Sequence, residues 1–406
     1  MKQDQRLQIV PPDKTKHLTG IAELMGLAFG ENDPAAWRDR IGALLEADRL
    51  HYSWRDSRVG LLDGRVVTHV GVVRYRMRLG PGQVLTAGVS AVATHPYCRG
   101  RGFMARTFSE TLSGFAGAGY GLSLLFGIDN FYSRFGYCRA WNETEIAVRL
   151  QDLPAEEPAP PRREYPEVPW SLVNPLYNLW AATIPGTSVR DDRLSPPAFM
   201  EGMVTFVWDD SAGKTDGYVM VTAGECDLRV LEFAGPPATV LAEVREIARA
   251  WRRRRIVFAD LSLAAPLARR LLQGACELRI RPRADGGPMV RTVRLRPCLE
   301  ALAPDLEARL AEAPTALRRA GGLVLSDGRE EIGLRWDNAG LRVTEPFSTE
   351  HRLNAGDRLA TLLLGGEPPE DVLARPGVEA GSPVAAALAR LLFPERFPML
   401  VKADRF

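Results

Sequence analysis

The stretch HPYCRGRGFMARTF, residues 95–108, is a short glycine turn placed directly before a predicted helix. Gly100 and Gly102 allow the backbone to approach a ligand closely, and the first N–H groups of the following helix have no intrahelical partner. The helix dipole favours negative charge at this end, and Arg99 and Arg101 add charge-assisted hydrogen bonds that suit a phosphate. The turn therefore predicts an anion-binding site, and a pyrophosphate is the expected ligand.

Two common phosphate-binding fingerprints do not fit this turn. Gly100 and Gly102 are followed by Ala105, so the dinucleotide motif G-x-G-x-x-G lacks its third glycine. A P-loop is excluded because the turn contains no Gly-Lys-Ser/Thr. Taken alone, the turn is equally compatible with a surface hairpin whose arginines are solvated.

The elements around the turn alternate as strand, helix and strand. In VLTAGVSAVAT, residues 84–94, every second residue shares one face, as expected of a strand: Leu85, Ala87, Val89, Ala91 and Ala93. Beyond the turn, apolar residues recur at roughly helical spacing: Met104, Phe108, Leu112 and Phe115. GLSLLFG, residues 121–127, is an apolar strand of the buried type. The aromatics of NFYSRFGY, residues 130–137, are on their own explained by core packing.

Length and composition limit the class of protein. A chain of 406 residues is too long for a single core, so two or three domains are expected. The net charge of +2 argues against a dedicated nucleic-acid surface. The five cysteines lack zinc-type spacing, which predicts reduced thiols, no metal site and a cytoplasmic location. We expect no membrane span, because no apolar run reaches about 18 residues.

The rest of the chain contains two further units. Residues 151–170 are rich in proline, which predicts a linker or an extended segment that lies along the protein surface. The unit that follows echoes the order of elements in the first, but AGPPAT, residues 234–239, replaces the glycine turn. Proline has no backbone N–H, so this second turn is not expected to hold an anion. Residues 297–406 predict helices around three strands joined by tight turns, and a closing strand at 398–406.

The order strand, RGRG turn, helix, strand and F-Y-x-R-F-G-Y resembles the GNAT acyltransferases. Their R-x-x-G-x-G/A signature is matched imperfectly, because Arg99 and Gly102 fit whereas Met104 stands where glycine or alanine is usual. ATHPYCRGRGFM, LLFGIDNFYSRFGY, the duplicated middle unit and the C-terminal module together are similar to the Eis (enhanced intracellular survival) family.

The resemblance to the Eis family implies an α/β (α+β) fold. Two tandem GNAT-like mixed-sheet domains are expected over residues 1–148 and 149–296, the second without a cofactor site. A C-terminal α+β domain that resembles sterol carrier proteins is expected over residues 297–406. Its role would be to supply the C-terminal carboxylate.

The same resemblance implies acetyl-CoA as the co-substrate. In the family, strand residues pair with the pantetheine arm, the turn and first helical residues hold the pyrophosphate, and two residues after the next strand line the thiol. The implied cofactor-binding residues are Val92, Ala93, Thr94, Arg99, Gly100, Arg101, Gly102, Phe103, Met104, Ala105, Gly127 and Ile128. Tyr132 occupies the position of the general acid. Phe406 occupies that of a terminal base acting through the α-carboxylate of the chain.

The resemblance thus predicts an N-acetyltransferase that moves acetyl onto a primary amine of a small molecule, such as an aminoglycoside, a polyamine or a lysine-like amine. Transfer would be direct within a ternary complex, without Cys98 or Cys138 as nucleophile. Two alternatives stay open: another acyl-CoA donor, or a non-catalytic protein that binds CoA or lipid. Arg405 would repel a polycation if it faced the cavity, which favours a smaller or zwitterionic amine. A homohexamer is expected by resemblance, with no nucleic-acid, membrane or metal partner.

Overall fold

Three mixed sheets organise the chain in a computed structural model that describes residues 6–47, 51–154, 158–191, 202–283 and 285–406. Each sheet contains a parallel pair of strands among antiparallel neighbours. Helices pack on all three sheets. This mixed α/β architecture confirms the predicted fold class.

The first sheet is built around a long antiparallel hairpin. Its strands are β1 (Gln8–Val10), β2 (Arg58–Leu62), β3 (Arg65–Leu79), β4 (Gly82–Thr94), β5 (Leu122–Gly127), β6 (Cys138–Arg139), β9 (Ser188–Val189) and β15 (Gly287–Thr292). They lie in the order β1-β2-β3-β4-β5-β15-β6, with β9 beside β3. The strand that leads into the glycine turn, β4, therefore lies at the centre of the sheet, antiparallel to β3 and parallel to β5.

The second sheet repeats this arrangement. Its strands are β7 (Glu143–Arg149), β8 (Arg162–Tyr165), β10 (Met203–Asp209), β11 (Thr215–Ala223), β12 (Asp227–Ala234), β13 (Arg255–Ala259) and β14 (Glu277–Arg281). They lie in the order β14-β7-β13-β12-β11-β10-β8. The parallel pair β12–β13 corresponds to β4–β5 of the first sheet. The described part of the proline-rich segment contributes β8 as an edge strand.

Each of the first two sheets contains a strand from the sequence range that was predicted to form the other domain. Strand β7 belongs to the second sheet although six of its seven residues precede residue 149, and β15 belongs to the first although it precedes residue 297. In the first sheet β15 pairs with β5, from Gly287 opposite Gly127 to Thr292 opposite Leu122. The division at residues 148 and 296 therefore stays a proposal, and each sheet is completed by a strand from the other side of a proposed boundary.

The third sheet forms the C-terminal unit. Its strands are β16 (Gly322–Ser326), β17 (Glu331–Asp337), β18 (Gly340–Thr344), β19 (Arg352–Asn354) and β20 (Glu379–Ala380). They lie in the order β18-β17-β16-β19-β20. The two predicted tight turns are present, and Gly328 and Gly340 have the positive φ angles, +81° and +115°, that favour glycine there.

Helices cover the sheets and differ in how they begin. They are α1 (Lys14–Phe29), α2 (Pro34–Glu46), α3 (Phe103–Ser113), α4 (Trp170–Trp180), α5 (Pro237–Ala250), α6 (Pro266–Leu271), α7 (Leu295–Ala311), α8 (Thr315–Arg318), α9 (Leu359–Leu364), α10 (Pro369–Leu373) and α11 (Pro383–Leu392). Asp13 and Ser382 cap α1 and α11 by accepting a backbone N–H with their side chains. Helix α3 begins after Gly102 without a side-chain cap. No described helix is both long and apolar enough to cross a membrane.

One hydrophobic core joins the first sheet to the C-terminal unit. Leu124 of β5 and Val290 of β15 belong to the same buried cluster as Leu299 of α7 and Leu334 of β17. The second sheet has its own cluster, which includes Val219 of β11 and helix α5. The first sheet and the C-terminal unit therefore stabilise each other through shared apolar burial.

The C-terminal tail is not the closing strand that the sequence predicts. In the described structure residues 394–401 pair with no strand, and a short 3₁₀ helix follows at Lys402–Asp404. Alternate side chains of the tail, Met399, Val401 and Ala403, insert into the core of the second sheet. This alternation resembles a strand pattern, but no strand pairs with the segment, which is held by side-chain burial and isolated backbone hydrogen bonds. The predicted strand is therefore wrong.

Candidate functional site

Strands β4 and β5 separate part-way along their length. Their last paired residues are Val89 and Leu125. Beyond them β5 stays paired with β15 on its far side, while β4 continues beside β3. A cleft therefore opens between residues 92–94 of β4 and the pair Gly127 and Ile128 at the end of β5. All these residues belong to the predicted cofactor set, and the Ile128 side chain is 68% exposed.

A bulge in β4 lies at the mouth of this cleft. The register with β3 shifts so that Ala91 and Val92 together lie opposite Val70. Ala91 has a φ of +49°, which is unusual for a residue with a side chain. A bulge bends its strand and re-aims the residues that follow. The direction in which Ala93 and Thr94 enter the cleft is therefore set at residue 91.

A buried histidine holds the bulge. The Nδ1 of His69 lies 2.7 Å from the carbonyl oxygen of Ala91, and its Nε2 lies 2.8 Å from the hydroxyl of Tyr52. Because the carbonyl can only accept, Nδ1–H donates to it, and Nε2 accepts from Tyr52. Burial lowers the pKa of His69 from 6.5 to about 4, so the ring is neutral at pH 7.

The glycine turn adopts the predicted left-handed geometry. Gly100 and Gly102 both have a φ of +74°, and a methyl group added to either would meet no atom within 4 Å. Glycine is therefore required by backbone conformation and not by crowding. Arg99 and Arg101 are exposed, with the Arg101 guanidinium 4.5 Å from the centre of the Phe103 ring. The uncapped N-terminus of α3, which continues through Met104 and Ala105, and these arginines form an exposed surface suited to an anion.

Tyr132 lies beside the end of β5. A methyl group at Gly127 would lie 2.7 Å from the Tyr132 ring, so glycine permits this close approach. The ring also packs 5.4 Å from Phe108 of α3, centre to centre. Tyr132 is 7% exposed, and burial raises the pKa of its phenol to about 12. The phenol is therefore protonated at neutral pH and able to donate a proton.

The last residue of the chain reaches the centre of the first sheet. A methyl group at Gly88 of β4 would lie 2.5 Å from the Phe406 ring, so the ring rests directly on the strand backbone. The ring centre lies 5.5 Å from that of Tyr75 and 6.2 Å from that of Phe126. Phe126 precedes Gly127, so the chain terminus and Tyr132 both border the separation of β4 and β5. No local sequence signal identified Gly88 or Phe126 as contacts of the terminus.

The penultimate residue is held by two carboxylates. The Arg405 guanidinium lies 2.6 Å from a carboxylate oxygen of Asp260 and 3.2 Å from one of Glu143. It also lies 4.4 Å from the centre of the Phe126 ring. Burial raises the pKa of Asp260, and the neighbouring Arg405 opposes that shift. Two carboxylates thus offset the single positive charge next to the terminus.

The second sheet lacks an equivalent of the glycine turn. Pro236 is the N-cap of α5 and Pro237 its first residue, so neither provides an N–H. A methyl group at Gly235 would lie 3.1 Å from the backbone oxygen of Asp216, which shows that the turn is crowded. The start of α5 therefore lacks the open, donor-rich surface present at the start of α3.

The cysteines do not form disulfides, and all five lie in the described residues. Burial raises the pKa of the Cys138 thiol to about 11, so this thiol is protonated at neutral pH. A protonated buried thiol is a poor nucleophile, which favours direct transfer chemistry over a covalent intermediate on Cys138.

Comparison with known proteins matches this geometry to a family. Residues 12–140 match the acetyltransferase (GNAT) domain family. These residues form a GNAT acyltransferase domain, and the chain as a whole has an Eis-like fold. GNAT acetyltransferases use acetyl-CoA as the acyl donor. The predicted resemblance is thereby confirmed.

Solved structures match the chain along nearly its whole length. A GCN5-related N-acetyltransferase from Anabaena variabilis ATCC 29413 is 16% identical, with a TM-score of 0.75 over 97% of this chain and 99% of that chain. One from Kribbella flavida is 18% identical, with a TM-score of 0.73 over 99% and 98%. Eis1 from Mycobacterium abscessus is 15% identical, with a TM-score of 0.64 over 97% and 99%. At these identities the likeness establishes the fold. No curated protein matches the chain.

The family match covers only part of the candidate site. The bulge, the glycine turn and Tyr132 lie within residues 12–140 of the GNAT domain, whereas Arg405 and Phe406 lie far outside it. The case for the terminal residues therefore rests on their contacts with β4 and β5.

Proposed function

We propose that this GNAT acyltransferase transfers acetyl from acetyl-CoA directly to a primary amine of a small molecule. The observation that carries the proposal is the placement of Tyr132 against Gly127 of β5 and of the Phe406 ring on Gly88 of the neighbouring strand β4. Burial keeps the Tyr132 phenol neutral. A proton donor and a carboxylate are the two groups that amine acetylation requires.

The donor would lie along β4 and the glycine turn. In this proposal the turn from Arg99 to Gly102 and the start of α3 bind the pyrophosphate through backbone N–H groups and guanidinium groups. The β4 backbone beyond the bulge pairs with the pantetheine arm, and Gly127 and Ile128 line the opposite side. The open space around Gly100 and Gly102 supports this arrangement, because the backbone there is free to approach a ligand.

Three proton transfers complete the reaction. The amine must be neutral to attack, yet free amines have a pKa of roughly 10. The α-carboxylate of Phe406 takes the amine proton, directly or through a water molecule. The amine nitrogen then forms a bond to the acetyl carbon, and the bond between that carbon and sulfur breaks. The phenol of Tyr132 gives its proton to the departing thiolate. The second proton, which the nitrogen loses as the amide forms, returns to the Tyr132 phenolate directly or through a water molecule.

The acceptor in this proposal is a cationic amine. The sequence alone suggested that Arg405 repels polycations, but Glu143 and Asp260 pair with this side chain. With two carboxylates and the chain terminus close to one guanidinium, the local charge does not oppose a cation. Aminoglycosides and polyamines therefore remain candidate acceptors beside smaller amines.

Two other functions are distinguished by one screen. Another acyl-CoA as donor would give products of different mass from a panel of acyl-CoA compounds and amines. A non-catalytic protein that binds CoA or lipid would release no thiol with any of them. The open glycine turn favours the enzyme over the binding protein. The corresponding turn of the second unit is crowded and contains two prolines, as expected where an anion site has been lost.

The Tyr132→Phe variant tests the proposed acid. We expect kcat to fall by about 100-fold, because the phenol proton is lost, while the Kd for acetyl-CoA stays within about twofold. Thiol release and calorimetry measure the two quantities. Tyr120→Phe is the matched control, because it removes a buried hydroxyl that donates to Asp56 at 2.7 Å, away from the cleft. Equal turnover by the two variants would remove Tyr132 from its role.

Assembly and location form a separate part of the proposal. On the resemblance to the Eis family we propose a cytoplasmic homohexamer whose C-terminal unit is related to sterol carrier proteins. Light scattering on the purified protein tests the assembly, and a monomer at micromolar concentration would contradict it.

A further inference from the structure

The tail docks on the second unit before it reaches the cleft. The backbone N–H of Met399 donates to the carbonyl oxygen of Pro185 at 3.1 Å. The Ser262 hydroxyl donates to the carbonyl oxygen of Phe397 at 2.7 Å. A methyl group at Gly186 would lie 3.0 Å from the Met399 oxygen, so glycine allows the tail to lie close. These contacts fix the backbone of the tail along the second unit.

Beyond these contacts, Asp404 of the tail takes part in a fully buried ion network. The Nε of Arg190 donates to Asp404 at 2.8 Å, and its two terminal nitrogens donate to the Glu232 carboxylate at 2.7 and 2.6 Å. The Ser188 hydroxyl also donates to Asp404, and the Tyr218 hydroxyl donates to Glu232. The side chains of Arg190 and Glu232 are 0% exposed and that of Asp404 is 1% exposed.

The network is built mainly by the second unit. Arg190 is fixed by the bidentate bond to Glu232 of β12 and by stacking 3.6 Å above the ring of Tyr177. We call Arg190, Glu232, Tyr177 and Tyr218 the Arg190 socket. A buried carboxylate is costly unless it is paired, so Asp404 is retained inside the protein by this socket. Once Asp404 is fixed, only Arg405 separates it from Phe406.

We infer that the second unit positions the C-terminal carboxylate in the cleft, with Arg190 acting through Asp404 as a positioning residue. The inference rests on the proposed function, in which that carboxylate is the base. The inference assigns a positioning role to the second, GNAT-like unit, whose own turn lacks backbone N–H donors because of its prolines. The tail is then held at three points: the Arg190 socket, the Arg405 pairs with Glu143 and Asp260, and the Phe406 ring on Gly88.

The test compares Asp404→Ala with Lys402→Ala in the full-length protein. Asp404→Ala removes the tail side of the network and leaves the Arg190–Glu232 pair intact, whereas Lys402 is an exposed residue of the same tail. Carboxypeptidase A releases a C-terminal phenylalanine, and intact mass follows its loss. We expect wild type and Lys402→Ala to keep Phe406 and Asp404→Ala to lose it at least about tenfold faster, because local opening exposes the terminus. Asp404→Asn keeps the shape of the side chain and serves as a second variant in case Asp404→Ala does not fold. Thermal unfolding shows whether each variant is folded.

Kinetics on undigested protein separate the inference from the proposed function. We expect Asp404→Ala to reduce kcat by about 100-fold with the KM for acetyl-CoA within about twofold, since a misplaced base affects chemistry and not donor binding. Protection of Phe406 in both folded Asp404 variants would overturn the anchoring, whatever their activity. Release of the tail with full turnover would overturn the positioning role and remove the terminal carboxylate from the mechanism. If wild type acetylates no amine, the proposed function fails while the digestion still decides the anchoring.

Discussion

At the scale of single residues, His69 links β4, the strand proposed to bind the cofactor, to the stability of the domain. Its folded-state pKa of about 4 lies below its ordinary value of 6.5, because burial disfavours the charged ring. The folded protein therefore binds fewer protons than the unfolded chain between these values. The stabilisation from this neutral ring is fully present above pH 6.5 and is lost as pH falls through 4.

This linkage predicts how His69→Asn behaves. Between pH 7 and 4.5 the free energy of unfolding of wild type should fall by up to about 3 kcal/mol more than that of the variant. An asparagine amide can still donate to the Ala91 oxygen, so the variant should fold. Urea denaturation at both pH values measures the difference, and His17→Asn on α1 serves as control. Parallel pH profiles for wild type and His69→Asn would show that His69 is not buried as a neutral ring.

Local motifs revealed some of these residues and not others. Arg99, Gly102 and Tyr132 could be predicted because each lies in a short local motif, the turn at residues 95–108 or the aromatic stretch at residues 130–137. His69 was not, because its partner Ala91 lies on the neighbouring strand, and only the register and bulge bring them together. A histidine within an apolar strand indicated burial but not what it bonds.

At the scale of elements, the proposed binding of the acyl donor depends on the turn between β4 and α3. We predict that Gly102→Ala weakens acetyl-CoA binding by about tenfold or more, because an L residue at a φ of +74° costs about 1–2 kcal/mol and displaces the first amides of α3. Calorimetry measures the affinity.

Gly64→Ala is the matched control for that variant. Gly64 also has a positive φ, +77°, and open space around it, but it lies in the turn between β2 and β3. Both variants carry similar backbone strain, so thermal unfolding should shift by similar amounts. Equal acetyl-CoA affinity in the two variants would contradict the assignment of the turn.

The sequence predicted elements more reliably than their pairing. The hairpin β3–β4, the turn and α3 follow from periodicity and glycine placement, which are local properties. The pairing of β5 with β15 joins segments that begin at residues 122 and 287, and no local pattern specifies it. The tail was predicted as a strand because alternate burial produces the same pattern whether or not the backbone pairs.

At the scale of the whole molecule, the proposed site draws on all three units. The first sheet supplies the strand separation, the glycine turn and Tyr132. The C-terminal unit shares its core and carries the tail, which docks on the second unit through Asp404. The terminal carboxylate therefore depends on all three units, which a search for motifs within one domain cannot detect.

The proposed role of the C-terminal carboxylate as base is tested most directly by the turnover of a protein extended by one alanine beyond Phe406. The extension replaces the α-carboxylate with an amide and leaves the turn, the bulge and Tyr132 unchanged. We predict that acetyl-CoA binds with unchanged affinity in calorimetry while amine-dependent thiol release falls by about 100-fold or more. Unchanged turnover by the extended protein would contradict the central claim that the chain terminus is the base.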